Sequence, residues 1–272
     1  MNIFDSIIVF PITNILLVIY SLLSSINLPY ALGFSIIVLT IIIRIILYPL
    51  TGAQIRASKK MQDMTPHLNK LKDRHKGDAK TLQQETMRLY KEHGVNPAAG
   101  CLPVLIQLPV IWGLYTVLSK VLQLGANSPT ELNKIAYFDF VKLTKAWDTY
   151  FFGLPLDQNP SNLLATIGPI IIIVPLLTGL FQFIQSKMLL PHEPKKEDKK
   201  IEVKKQDDFA TSFQKQSLYI FPAMIGFFSW TFPIGLSLYW NTFTIFGIIQ
   251  QYRISGLGAL KEWTDKINDK RK

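Results

Sequence analysis

The sequence holds a single cysteine, Cys101, among 272 residues, which excludes an intramolecular disulfide and any zinc site built on paired cysteines. Charge is also scarce. Asp, Glu, Lys and Arg make up 18% of the chain, against roughly 25% in soluble domains, and the shortage is concentrated. Across 30–50, 101–124, 163–184 and 217–249 the charged side chains are Arg44 and Lys120 alone. Blocks of that length can cross a bilayer, so an ordinary soluble globular domain is excluded. With 16 prolines and 15 glycines the chain is neither collagen-like nor mainly disordered. No Asp or Glu falls inside a block, which argues against an intramembrane aspartyl protease or a carboxylate-based proton pump. His67, His75, His93 and His192 all sit in polar connections, and no Gly-rich phosphate loop of the Walker type occurs. Neither an enzyme nor a bound cofactor is expected.

What is present is apolar and helical. A spanning helix needs about 20 residues, and the first three blocks meet that length. The fourth is too long for one span and is interrupted at Phe232-Pro233, where proline ends or bends a helix. It reads as a hairpin of two spans of about 16 to 19 residues each, short for an average bilayer. The predicted fold is an all-α integral membrane protein: five transmembrane helices, an N-terminal interfacial helix and a cytoplasmic helical hairpin. The first apolar stretch, Ile3 to Ile26, is long enough to cross, yet it carries Asp5, Pro11, Asn14 and several serines. Residues 1–29 are therefore expected to form an amphipathic helix in the interface, with a sixth span as the alternative. No Lys or Arg precedes the run, so a cleaved signal peptide is not expected.

Orientation follows from the basic residues. Residues 51–100 hold ten Lys and Arg, 187–216 eight and 253–272 six, whereas 125–160 hold three and 1–29 none. Five spans put the three rich segments on one face, which is then cytoplasmic. The amino terminus is expected outside and the carboxyl terminus inside. The core covers 30–252, with a cytoplasmic hairpin at 53–94, an extracytoplasmic loop at 125–160 and a cytoplasmic loop at 187–216; a short basic tail fills 253–272. Topology and anionic lipid account for the net charge of +10 without direct binding of nucleic acid, with a ribosome-facing tail as the alternative. In the hairpin, Met61, Met64, Leu68 and Leu71 recur at helical spacing, Lys76-Gly77 marks a break, and Leu82, Thr86 and Leu89 resume the stripe. Two antiparallel helices are predicted, serving either as a plain connector or as a docking platform. Lys195 to Asp208 alternates Lys with Glu and Asp and is expected to be mobile.

Arg44 is the charge that needs a reason. It lies about four residues, or 6 Å, past the centre of its span, where burying a guanidinium costs roughly 2.5 to 3.5 kcal/mol. Snorkelling toward cytoplasmic water would reduce that cost; an aqueous cavity is the other solution, since no carboxylate in any span can pair with it. Candidate cavity residues are Thr40, one turn before Arg44, then Gln107, Gln182 and Gln185, and Asn241 with Thr242 and Thr244. Each alone serves equally well as glue between helices. Together they predict a hydrophilic groove open to the cytoplasm and suited to a transient polypeptide guest.

Three segments carry a family likeness. The run Leu39-Thr40-Ile41-Ile42-Ile43-Arg44-Ile45-Ile46-Leu47-Tyr48-Pro49-Leu50-Thr51, the run Val95-Asn96-Pro97-Ala98-Ala99-Gly100-Cys101-Leu102-Pro103 continuing to Pro109, and Phe232-Pro233-Ile234-Gly235-Leu236-Ser237-Leu238-Tyr239-Trp240 resemble, in order and spacing, the YidC-type membrane protein insertases. The likeness covers roughly residues 10 to 255. It implies an insertase core with Arg44 in a hydrophilic groove, acting on nascent membrane proteins alone or with the Sec translocon, and partners among the ribosome, the signal recognition machinery and anionic lipids. Unlike some members, this sequence shows no large domain ahead of the first span and a short basic tail, so strong ribosome binding is not expected. With no Arg-rich, Ser-rich leader, a bacterial plasma membrane is expected.

In that picture Arg44 attracts the polar or acidic tail of an incoming span, the groove hydrates it, and the guest's apolar segment leaves into lipid, with burial at roughly 25 cal/mol per Å² as the drive. Trp230, Tyr239 and Trp240 are candidate contacts for the guest, or else packing residues and interface anchors. The competing function is a small transporter or channel with Arg44 in the solute path, which predicts internally repeated halves that the sequence does not display.

Overall fold

In the computed structural model the described residues are 3–75, 77–94, 102–190 and 209–261. A π-helical turn, Asp5–Val9, runs into α1 (Phe10–Ser25), and a short turn with Asn27 and Tyr30 in the left-handed region leads to α2 (Ala31–Ile46). Helix α1 buries Leu16, Leu17 and Tyr20, and α2 buries Leu32, Ile36 and Leu39, spaced as one helical stripe. Helix α6 (Leu102–Gln123) completes the core with Leu114, Val117, Leu118, Val121 and Leu122. Among lipid tails such contacts hold helices together by packing rather than by escape from water.

The polar residues that interrupt the first apolar stretch are used in tertiary contacts. Asn14, 4% exposed, donates from Nδ2 to the carbonyls of Phe10 and Ile135, both at 2.9 Å, and its Oδ1 accepts the Tyr137 N–H at 2.6 Å. Thr13 donates to the Val9 carbonyl at 2.7 Å, and Asp5 pairs with Lys120 at 3.3 Å. The continuous helix Asp5–Ser25 is long and apolar enough to cross a membrane. Its interruptions thus have a packing cause, and polarity alone no longer argues that it lies in the interface.

The 125–160 connection is more ordered than its sequence announced. It holds α7 (Ser128–Asn133) and a two-stranded antiparallel ribbon, β1 (Tyr150–Phe151) with β2 (Leu154–Pro155), in the register Phe151 to Leu154. Asn133 clasps Leu143, donating to its carbonyl at 2.9 Å and accepting its N–H at 2.8 Å. The third apolar block begins later than predicted. Helix α8 (Pro160–Ile167) ends at Gly168, whose φ of 84° favours glycine, and a 3₁₀ turn, Pro169–Ile172, starts the continuous helix that becomes α9 (Ile173–Met188). Pro169–Met188 is the second helix among the described residues with the length and apolarity to cross.

Helices α10 (Phe209–Thr231) and α11 (Ile234–Ser255) are separated at Phe232-Pro233, where proline forbids continuation. The first amides of α11 are held by the preceding connection: Ile234 N–H donates to Gln158 O at 2.9 Å and Gly235 N–H to Leu156 O at 2.8 Å. Backbones of α9 and α10 touch at Gly179 and Gly226, where a Cβ on Gly226 would come within 3.3 Å of the Pro175 carbonyl oxygen.

The chain forms two units. One comprises Met1–Leu47, Gln107–Gln182 and Ile220–Phe246; the other comprises Tyr48–Ile106, Phe183–Tyr219 and Gly247–Lys272. In the second unit the 53–94 segment divides into α3 (Tyr48–Asp63), α4 (Thr65–Arg74) and α5 (Ala79–Glu92). The first predicted helix is split at Met64, because Pro66 occupies the first turn of α4 and restricts the residue before it. Gln250 ties α11 to α3, donating to Tyr48 O at 3.0 Å and Thr51 Oγ1 at 2.8 Å. The runs 95–101, 191–208 and 262–272 lie outside the described residues, and with them the Asn-Pro motif and the segment expected to be mobile.

Candidate functional site: a buried arginine and a polar helix seam

Arg44 enters the first unit near the end of α2 and is 4% exposed. Its guanidinium lies 3.4 Å over the ring centre of Phe243 on α11, and Nη2 donates to the Phe243 carbonyl oxygen at 2.6 Å. The Phe246 ring centre is 6.0 Å away. Tyr239, Phe243 and Phe246 follow one another at four and three residues, so one face of α11 is an aromatic wall facing the cation. Stacking on a desolvated ring is worth about 2 kcal/mol, and one charged hydrogen bond adds about 1.5 to 3 kcal/mol. Neither meets all five guanidinium donors. Nε has no partner, and among the described residues no carboxylate pairs with Arg44.

Three further buried polar atoms on α11 are equally unmet: Tyr239 OH, Asn241 Oδ1 and Thr244 Oγ1. Tyr239 stands beside Arg44's platform, its ring centre 5.8 Å from that of Phe243. Asn241 does not. At roughly 100° per residue it lies on the far side of α11 from Tyr239, so the predicted grouping of Asn241 with Arg44 divides between two faces. Thr40 is 1% exposed, and its hydroxyl donates to the Ile36 carbonyl at 2.6 Å, a commitment to its own helix.

Gln182 and Trp240 come together, the indole N–H donating to Gln182 Oε1 at 3.1 Å. Next to them runs a hydroxyl chain that sequence inspection missed. Ser229 Oγ lies 2.7 Å from Ser237 Oγ and donates to Thr178 Oγ1 at 3.2 Å. Thr178 and Gln182 are one turn apart on α9, as Ser237 and Trp240 are on α11, so the two pairs form one polar seam. Uncharged hydroxyls in apolar helices are common, and only the register of Ser237 with Trp240 could have singled this chain out. Trp230 is half-buried on α10 and packs against the apolar core. Gln185 is half-buried on α9 in the second unit, and the Gln107 side chain lies outside the described residues. Among the described residues no group of three or more His, Cys, Asp and Glu could hold a metal ion.

Such an arrangement holds one cation against an aromatic wall and offers unmet donors and acceptors. It can bind a carboxylate, or a peptide group shedding its water; nothing in it couples a nucleophile to a base.

The family model described as 60Kd inner membrane protein matches residues 22–259. The chain is 32% identical over 258 residues to the chloroplast inner membrane protein ALBINO3 of Arabidopsis thaliana, a match covering 90% of this chain and 51% of that protein. It is 32% identical over 227 residues to the membrane protein insertase YidC of Fusobacterium nucleatum, covering 84% and 87% of the two. Against the YidC of Streptomyces avermitilis it is 32% identical over 225 residues, covering 82% and 50%. It therefore spans about half the length of two of these relatives and most of the third. A match across nearly the whole helical core, joined to those relatives, makes this chain a member of the 60Kd inner membrane protein family, to which the YidC-type insertases belong.

Proposed function

We propose that the protein is a membrane protein insertase and chaperone that receives nascent integral membrane proteins in a hydrophilic, cytoplasm-open groove containing Arg44. Five spans carry the groove, with the amino terminus outside and the carboxyl terminus inside a bacterial plasma membrane; residues 1–29 form an interfacial helix in this reading, although Asp5–Ser25 is also long and apolar enough to cross as a sixth span. The protein works alone or beside the Sec translocon, with the ribosome or signal recognition machinery as delivery partners and anionic lipids around its basic face. The family relatives support the class of activity. The observation that carries the mechanism is Arg44 itself: a cation 4% exposed, with one carbonyl partner and an unmet Nε.

A side chain so placed favours a ligand that arrives with negative charge or unmet acceptors, because the exchange returns hydrogen bonds to a group already paid for in desolvation. The acidic or polar tail of a nascent span fits that description. Gln182 and Trp240 line the path on the adjoining seam, and Tyr239 backs the arginine. Release into lipid needs no nucleotide, since transfer of the guest's apolar face is downhill.

The test is reconstitution in proteoliposomes with a labelled single-span client, with photocrosslinkers placed at Gln182 and Trp240 while Arg44 is kept. Crosslinks to a stalled client and insertion without solute flux are expected. Flux of small solutes with no client crosslinks would replace this function by that of a transporter.

A further inference from the structure

The second unit brings together two histidines that the groove does not use. His67 lies in the first turns of α4, and His93 closes α5 at its C-terminal end, 26 positions later in the chain. Both rings are exposed, and their centres are 6.0 Å apart with the planes tilted by 45°. Metal–imidazole bonds of roughly 2.0 to 2.1 Å, opened to a tetrahedral angle or somewhat wider, separate two ring centres by roughly 5 to 5.5 Å. The observed spacing is about half an ångström wider, a gap that a small rotation of either exposed ring closes.

The tautomer is also set. His93 Nδ1 lies 3.0 Å from the Leu89 carbonyl oxygen. A carbonyl oxygen can only accept, so the proton of the neutral ring is on Nδ1 and the Nε2 lone pair is left outward. An N–H to carbonyl bond of this kind orients ligating histidines in metal sites generally. The carboxylate next to His93 in sequence, Glu92, is paired with Arg88 at 2.9 Å.

We propose that His67 and His93 form a two-imidazole site for a borderline divalent cation, Zn²⁺ or Ni²⁺, with solvent completing the coordination. Bound metal would pin α4 to α5 across the hairpin, in addition to the turn at 75–78 that joins them. Imidazole donors select these ions over Mg²⁺ and Ca²⁺, which take oxygen ligands. The site is independent of the insertase function, and its test requires no client.

Untagged full-length protein in nanodiscs is titrated with zinc chloride against a chromophoric indicator. One ion per chain is expected. Affinity should fall by at least about tenfold in both His67→Ala and His93→Ala, since losing one of two ligands costs more than losing an outer-shell partner, itself worth roughly 10- to 100-fold. His75→Ala and His192→Ala should bind as the parent does. Circular dichroism identical to the parent's verifies that the two exposed replacements fold. Zinc binding that survives either replacement, an equal loss in His75→Ala, or no binding at micromolar zinc overturns the proposal.

Discussion

Two buried polar sites in the first unit differ in how completely they are satisfied. Asn14 makes every contact its amide can use at that position, joining α1 to the backbone at Ile135 and Tyr137. Arg44 is as deeply buried but leaves Nε unmet, and Tyr239 OH beside it is unmet as well. Low dielectric strengthens a finished network and penalises an unfinished one. The finished site behaves as a fastener; the unfinished one has capacity left for a partner. Burial alone does not tell the two roles apart, but the ledger of donors and acceptors does.

The sharpest way to break this contrast is at the arginine. Arg44→Ala should lower insertion of an acidic-tailed client roughly 10- to 100-fold, the equivalent of one charged hydrogen bond of about 1.5 to 3 kcal/mol. Arg44→Lys should fall between, because an ammonium keeps the charge but cannot stack its planar fork on Phe243. Equal insertion by the alanine variant on acidic-tailed and neutral clients would reduce Arg44 to a topology device.

The opposite profile is expected at Asn14. Replacement by Ala strands the Tyr137 N–H and the Ile135 carbonyl, at a cost of about 1 to 3 kcal/mol, seen as a lower Tm in detergent with insertion per folded molecule unchanged. A loss of insertion without a loss of Tm would erase the distinction drawn above. Ser229→Ala tests an intermediate case, since its hydroxyl joins Thr178 to Ser237 in a neutral chain. About 0.5 to 1.5 kcal/mol is expected, read by the same melting assay.

The smallest effect lies in the second unit. Hydrogen bonds from the Thr81 side chain and backbone N–H hold the Asp78 carboxyl below the ordinary carboxylate range. A depressed folded value means that the cap stabilises α5 fully above the unfolded pKa of about 3.9 and is lost as pH falls through the folded one. The protection factors of the Lys80 and Thr81 amides, exchange rates corrected for their intrinsic pH dependence, should fall on acidification, and Asp78→Asn should flatten that dependence. An unchanged acid profile in the Asn variant would remove the carboxylate as its cause.

Much of the helical plan was legible because its signals are local. Phe232-Pro233 separates α10 from α11, and charge-free blocks mark apolar helices, since proline and charge act wherever they occur. Arg44 stood out for the same reason. Four things were hidden, two of them because they depend on partners distant in sequence. Asn14 looked like a mark of interfacial residence until Ile135 and Tyr137 supplied its contacts. Asn241 looked like a neighbour of Arg44, yet helical phase turns it away. The Thr178, Ser229 and Ser237 chain had no charge or motif to announce it, and the ordered 125–160 connection rests on the Asn133 clasp rather than on any long periodic run.

One detail at the α10 to α11 junction bears on how a guest could depart. Because the Ile234 and Gly235 N–H groups are fastened to the carbonyls of Gln158 and Leu156, the first turn of α11 is moored to the 125–160 connection, and on the proposed function any opening made beside it for a departing guest must strain both bonds.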